Sequence, residues 1–525
     1  MSQRSSCSDD EERSIGDDCE RHLSAKDRRF SEDDKDEDDA KSDSPETAYN
    51  PGSESLKEDP NLITWSGDDD PTNPLNWPRS RKWAATLIVS CFTFISPVSS
   101  TFVAPALPVI ANEFNITSSI QQALVMSIFL LAYAIGPFVL GPLSEIFGRV
   151  VVLQWSNMFY LVFNTACGFA QTKEQMMALR FLSGLGGSAP QALGGGVLSD
   201  CWRTEERGKA IAIYSLAPFV GPAVGPIIGG FIAEGTTWRW IFWVVSIADA
   251  LVQVLGFLFL KETYAPKILA VKAKQLRHQT GNNALHTQWQ NPDHSFAKIL
   301  RKNLVRPFIM LFTQPCIQAL AFYRAFLYGL MYLVLSTFPY VWEGVYEMSR
   351  GVASLNYLSL GIGFIIGLQI CAPINDRIYC ALKTRYNSPG RPEFRVPLML
   401  PGGLLVPIGL FIYGFTANPS IHWIIPNIGA VIFATGLIIG FQCAQAYVVD
   451  AYTRYAASAT GAAAFLRTMA GFSFPLFAPA MYDKLGIGWG NGLLAFLSLG
   501  FGIIAPVLLW RYGVALRARS TYCAG

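Results

Sequence analysis

The sequence predicts an all-α polytopic membrane protein, with twelve transmembrane helices arranged as two pseudo-symmetric six-helix bundles. Three observations carry that prediction. From about Lys82 onward, apolar stretches of 20 or more residues recur, each able to cross a hydrocarbon core of ~30 Å. Lys and Arg collect in alternate loops. One long basic segment, 261–308, divides the apolar runs six and six.

Residues 1–70 hold 23 Asp or Glu against 9 Lys or Arg, whereas the remainder holds 16 acidic and 32 basic residues. Serine and acid runs such as Ser8-Asp9-Asp10-Glu11-Glu12 and Ser31-Glu32-Asp33-Asp34 cannot bury a core, so 1–70 is expected to be a disordered, acidic cytoplasmic tail. Serines followed by acids are also plausible phosphorylation targets. Met1 opens onto charged sequence without an apolar h-region, so the first span is expected to serve as the membrane anchor. Asp70 to Pro78 is turn-rich, and Trp77 suits a membrane interface. The ten cysteines are scattered without a C-x-x-C pair, which predicts packing thiols rather than a disulfide framework.

The spans are expected at 83–104, 122–141, 151–171, 176–199, 209–233, 240–260, 309–337, 352–373, 396–416, 422–448, 457–480 and 488–510. They form a first bundle over 71–260 and a second over 309–512, joined by a cytoplasmic linker over 261–308 and followed by a cytoplasmic tail over 513–525. The linker carries nine Lys or Arg and the loop 374–395 carries five. Outer loops carry four: Lys173, Arg239, Arg350 and Lys484. That asymmetry places both termini in the cytoplasm. The sequon Asn115-Ile116-Thr117 then falls in the first outer loop, where Asn115 could be glycosylated. The linker ends in an amphipathic run through Lys298, Arg301, Lys302 and Arg306. Tethered at a bilayer, it suits the anionic inner leaflet rather than nucleic acid.

Three stretches carry the strongest local signals. Gly141-Pro142-Leu143-Ser144-Glu145-Ile146-Phe147-Gly148-Arg149 is a tight polar hinge between spans two and three. Arg180-Phe181-Leu182-Ser183-Gly184-Leu185-Gly186 lies in span four. Gly221-Pro222-Ala223-Val224-Gly225-Pro226-Ile227-Ile228-Gly229-Gly230 lies in span five. They resemble, in the expected spans, the G-x-L-a-D-r-x-G-r, R-x-x-x-G and G-x-x-x-G-P-x-x-G-G motifs of the major facilitator superfamily. A narrower resemblance, to the fungal twelve-span drug:proton antiporters, rests on Asp70-Pro71 through Trp77, Glu262-Thr263-Tyr264-Ala265-Pro266 and Pro392-Glu393-Phe394-Arg395. It rests also on Tyr455-Ala456-Ala457-Ser458-Ala459 and Phe474-Pro475-Leu476-Phe477.

The resemblance implies an inner gate built from Gly141, Glu145, Gly148, Arg149 and Asp200, with Glu145 facing the start of span eleven. Glu145 stands where the superfamily more often has Asp. It implies proton coupling through Arg180, and an antiporter role for Gly221, Pro222, Gly225, Pro226, Gly229 and Gly230. The halves echo each other: span four ends at Asp200 and span ten at Asp450. Span two exits at Glu145 and span eight at Asn375-Asp376-Arg377. The second-half version looks degraded, which puts the stronger inner latch on the first half.

Physics adds to this. Gly221, Gly225 and Gly229 form one i, i+4 stripe on which another helix can pack closely; the resemblance implies that this is a helix of the other half. Pro222 and Pro226 should bend the helix. Arg180, Arg324 and Arg467 lie within spans, where each costs at least ~2.5 kcal/mol unless it faces a cavity or partner. Asp249 is the only carboxylate deep in a span and so the candidate proton carrier, with structural pairing as the alternative. Tyr328 and Tyr332 share one face of span seven, and Gln442 and Gln445 one face of span ten. With Arg467 they suggest an aromatic substrate cavity for bulky amphipathic molecules.

These readings converge on a proton-coupled efflux antiporter of the plasma membrane, acting as a monomer on a small-molecule substrate with protons as the coupling ion. It would export amphipathic drugs, toxins or secondary metabolites. No enzyme signature appears, and no cofactor or metal is expected. A proton-coupled importer or a non-transporting nutrient sensor are the alternatives.

Overall fold

The computed structural model describes residues 61–67, 69–203, 206, 208–289, 296–520 and 522. The acid runs at Ser8 and Ser31 lie outside them. Span one is Arg79–Thr101, span two Ser119–Phe147, span three Arg149–Cys167, span five Gly208–Gly235 and span six Arg239–Phe259. Spans seven to ten are Pro315–Pro339, Tyr357–Arg385, Met399–Thr416 and Ile424–Ala451. Spans eleven and twelve run on as Ala456–Ala518, two helices meeting at Gly486, whose φ of 70° suits glycine. Ten helices among the described residues are long and apolar enough to cross a membrane, the fused pair counting as one.

Span four is the missing crossing, and it departs from the single helix expected at 176–199. It consists of Lys173–Gly187 and Ala189–Cys201, meeting at Ser188. Pro190 removes a backbone donor there, and the Ser188 hydroxyl turns back to the Leu185 carbonyl at 2.8 Å. Two boundaries also move. The linker does not end at 308, because a helix runs Phe296–Thr313 and breaks at Gln314, whose backbone is extended before Pro315. The last helix continues to Ala518, so 513–518 is helical rather than tail.

The assignment of 61–70 to a disordered tail is also corrected. The Ile63 amide donates to the His286 carbonyl and the His286 amide to Asn61, both at 2.8 Å, so the segment docks on the linker. Asp70 fixes the next turn, accepting from the amides of Ser66 at 2.9 Å and Thr72 at 2.8 Å and pairing with Lys272 at 3.4 Å. The Ser66 amide first, then the Thr72 hydroxyl, hold the Asp70 carboxyl well below the usual carboxylate range. A depressed folded value means that this contribution is fully present above the unfolded value of about 3.9 and fades only in stronger acid. Trp77, expected at the lipid interface, is 6% exposed and lies under Arg81, 3.8 Å from the guanidinium carbon to the ring centroid.

The halves meet along two seams: span two against span eleven, and span five against span eight. The glycine stripe of span five does not face the other half as expected. Gly221 abuts Pro97 and Val98, Gly225 abuts Val98 and Thr101, and Gly229 abuts Phe102, all on or just beyond span one of the same half. Gly230 is the member turned toward the second half, against Ser354 and Arg350. At that outer end the Glu234 carboxylate accepts the Gly351 amide at 2.6 Å. Prolines 218, 222 and 226 all sit within one continuous helix.

A Cβ at Gly229 would collide with the carbonyl oxygen of Phe102, which is backbone and cannot swing aside, whereas nothing lies within 4 Å of one at Gly195. Gly229→Ala is therefore expected to destabilise the protein by about 1–3 kcal/mol and Gly195→Ala to be close to neutral. Thermal unfolding in detergent checks this; equal melting of the two variants would contradict it.

Candidate transport cleft and inner gates

A narrow cleft lies where spans one, two, four, five, seven and eleven converge. Its walls include Ser96, Ser100, Phe129, Tyr133, Gln191, Phe219, Tyr328, Tyr332 and Arg467. Tyr328 and Tyr332 arrive from span seven with ring centroids 4.9 Å apart. The Tyr332 hydroxyl is 2.9 Å from Ser100 Oγ, linking the halves at the cleft. Arg467 lies over the Tyr328 ring at 4.8 Å and over Phe441 of span ten at 5.4 Å. The two glutamines of span ten stand apart from this wall: Gln445 donates to Thr460 at 3.4 Å, and Gln442 is half-buried. The cleft's amide is instead Gln191, placed there by the break in span four.

The three intramembrane arginines have different surroundings. Arg180 is fully buried and donates to four main-chain carbonyls: Ser99 at 3.0 Å, Val125 at 3.3 Å, and Ser100 and Met126 at 3.4 Å. It ties span four to spans one and two. Arg467 is half-buried and faces the cleft. Arg324, 2% exposed, stacks on the Phe441 ring at 4.4 Å.

Asp249 is fully buried away from the cleft lining, in a seam between spans three and six. The Asn157 amide donates to both its oxygens at 3.1 and 3.0 Å and also to Gln253 at 2.8 Å, while Gln253 donates to Gln154 at 2.7 Å. Asn115 is exposed in the turn before span two, with a left-handed φ of 51°.

At the end of the first half where spans two and three join, Arg149 Nε lies 2.6 Å from Asp200 Oδ2, and Thr263 donates to the same oxygen at 3.3 Å. Glu262 accepts the amides of Arg149 at 3.0 Å and Val150 at 3.3 Å, so an acid from beyond span six caps span three. Gly148, at φ 103°, and Gly196 leave room for these side chains, since a Cβ at either would strike Glu262 or the Arg149 guanidinium. Glu145 is exposed one helical turn before Arg149, and a Cβ on Gly141 would meet nothing within 4 Å.

The second half is not the degraded echo expected from Asn375-Asp376-Arg377. Arg395, just ahead of span nine as Arg149 opens span three, pairs with Asp376 and with Asp450 at 3.0 Å, and stacks on Tyr379 at 4.4 Å. In the last turn of span twelve, Arg517 grips Glu393 through two bonds of 2.9 and 3.1 Å. Where Glu262 of the first half accepts backbone amides, this is an ion pair between side chains.

Comparison with known proteins decides the family. The model of the Major Facilitator Superfamily matches residues 89–475. The chain belongs to the Major Facilitator Superfamily. It is 48% identical to the efflux pump vrtL of Penicillium aethiopicum, over 90% of this chain and 94% of that protein. It is 42% identical to the MFS-type transporter oryF of Aspergillus oryzae, over 89% and 98%. The xylose transporter XylE of E. coli shares the fold with a TM-score of 0.61 at 16% identity, over 82% of this chain and 98% of that one.

As a superfamily member the chain is a multi-pass membrane transporter with twelve helices in two six-helix bundles. The sequence brought Arg149 and Asp200 together correctly, but it used Glu262, Glu393 and Arg395 only as marks of resemblance. Their type gave a usable signal: each is a charge within a few residues of a span end. The Arg149–Asp200 pair is half-buried on both sides, so a coupling of about 1 kcal/mol is expected from the double-mutant cycle of Arg149→Gln and Asp200→Asn. Thermal unfolding in detergent measures it, and strictly additive effects would contradict the pairing.

Proposed function

We propose that this transporter exports amphipathic small molecules in exchange for protons, by alternating access, as a monomer in the plasma membrane with both termini in the cytoplasm. The observation that carries the reading is the cleft itself. Aromatic walls from both halves, Phe129, Tyr133 and Phe219 on one side and Tyr328 and Tyr332 on the other, meet around Ser96, Ser100, Gln191 and Arg467. Such a lining gains affinity from buried area and tolerates varied ligands. The names of the relatives support the outward direction: vrtL and the radE protein of Floropilus chiversii are both efflux pumps. The close packing of Gly221, Gly225 and Gly229 on span one fits a rigid half that moves as a body.

For the proton, Asp249 is the candidate. It is the carboxylate buried within a span, and among the described residues it forms no ion pair. Ionised and unpaired it would be expensive to hold there, so a proton is its natural companion. Arg180 supports coupling by position rather than by exchange, because all its bonds run to backbone carbonyls.

Reconstitution in proteoliposomes with an imposed pH gradient tests the proposal. The wild-type protein should move an amphipathic dye against its gradient when protons flow the other way. Asp249→Asn should lower dye-driven proton flux about tenfold or more while dye binding persists. Undiminished coupling in Asp249→Asn would overturn the proton assignment. Greater accumulation of the dye in overexpressing cells would overturn export.

A further inference from the structure

Arg180 and Arg324 make an internal comparison. Both are arginines within spans, both are essentially removed from solvent, and their hydrogen bonding is opposite. Arg180 donates to four carbonyls. Arg324 keeps Nε and Nη1 buried without a hydrogen-bond partner among the described residues, and Arg467 keeps Nε in the same state. Buried donors are almost always matched, so these mark a place where an acceptor is expected to arrive.

The two guanidiniums share one aromatic neighbour. Arg324 lies 4.4 Å and Arg467 5.4 Å from the centroid of the same Phe441 ring, and no ion pair from either to a carboxylate is found among the described residues. Two like charges in a region of low dielectric repel each other, and one aromatic ring compensates only in part. Arg324, Tyr328 and Tyr332 form an i, i+4, i+8 stripe on span seven; the two tyrosines line the cleft together with Arg467, and Arg324 is buried one turn behind them. Phe219 of the first half meets Phe441 edge-on at 5.6 Å.

We propose that Arg324 and Arg467 form an anion-binding site at the end of the aromatic cleft, so that the transported molecules are amphipathic organic anions, such as aromatic carboxylates or ionised phenols. A guanidinium presents a planar donor fork that matches a carboxylate, and Phe441 and Tyr328 offer faces to an aromatic body. The charge also bears on energetics. An inside-negative potential of 100 mV favours outward movement of a monovalent anion about fiftyfold. The inference deepens the export reading by naming the substrate class, and binding can be measured without knowing the direction of transport.

The test uses the full chain in nanodiscs of zwitterionic phosphatidylcholine, with tritium-labelled 2-naphthoate followed by scintillation proximity. Unlabelled 2-naphthoate should displace the label at about tenfold lower concentration than neutral 2-naphthamide, with cationic 2-naphthylmethylamine no better than the amide. In Arg324→Gln and Arg467→Gln the ratio should fall toward one, and Arg324→Lys should keep part of it. Equal displacement by the three probes on wild-type protein, or absence of saturable naphthoate binding, would overturn the proposal whether or not the variants fold. Retention of the ratio in both glutamine variants would overturn the residue assignment. Displacement by chloride at equal concentration would show a site for inorganic anions, and displacement by added phosphatidylglycerol a lipid site; either overturns it too. If the vesicle assay showed import, the naphthoate preference would stand unaffected, so the two failures are distinguishable.

Discussion

A guanidinium placed in hydrocarbon costs at least ~2.5 kcal/mol unless acceptors or a cavity receive it, and this chain answers that constraint differently at each site. Arg180 is surrounded by the carbonyls of two neighbouring helices and becomes a tie within the first half. Asp249 is wrapped by amides between spans three and six. The inner-face charges pair at span ends, where water is close. Arg324 and Arg467 are left with donors unmatched around the Phe441 ring, and Arg467 lines the cleft that the halves enclose.

The same constraint separates parts that hold from parts that move. Carbonyl-tied Arg180, the amide seam and the glycine stripe on span one all lie inside the first bundle. They are hydrogen-bonded within the bundle or closely packed, which suits a body that keeps its shape. Between the halves the contacts differ in kind. Phe138 packs on Phe465 between spans two and eleven, and Phe219 on Phe441, with single polar links at Ser100–Tyr332 and Glu234–Gly351. Aromatic faces can slide or part at smaller cost than a matched charge network. The inner networks sit within their own halves, Arg149–Asp200 in one and Arg395–Asp450 in the other, so each brings its span ends together as a unit.

The fold was legible in the sequence because membrane spans announce themselves by length and by the placement of Lys and Arg. What was hidden depended on geometry across the chain. The break at Ser188 follows from a proline whose effect in a membrane helix is set by its neighbours. The docking of 61–70 on the linker comes from backbone pairing between Ile63 and His286, which leaves no compositional trace. Glycine spacing predicted a close helix contact but could not say which helix, and the partner proved to be span one. Tyr328 and Tyr332, which the i, i+4 spacing put on one face of span seven, both line the cleft, and so does Arg467. Gln442 and Gln445 did not, since a two-residue pattern fixes a face but not its neighbour. Arg517 was visible only as a basic residue, and Arg395 only as part of a resembling stretch, until Asp376, Asp450 and Glu393 were placed beside them.

The most direct measurement is an experimental structure of the full chain with 2-naphthoate bound. The account predicts the carboxylate within hydrogen-bonding distance of both Arg324 and Arg467, with the naphthyl ring against Phe441 and Tyr328. A naphthoate seated in the cleft with its carboxylate turned away from both arginines, or bound outside the cleft altogether, would contradict it.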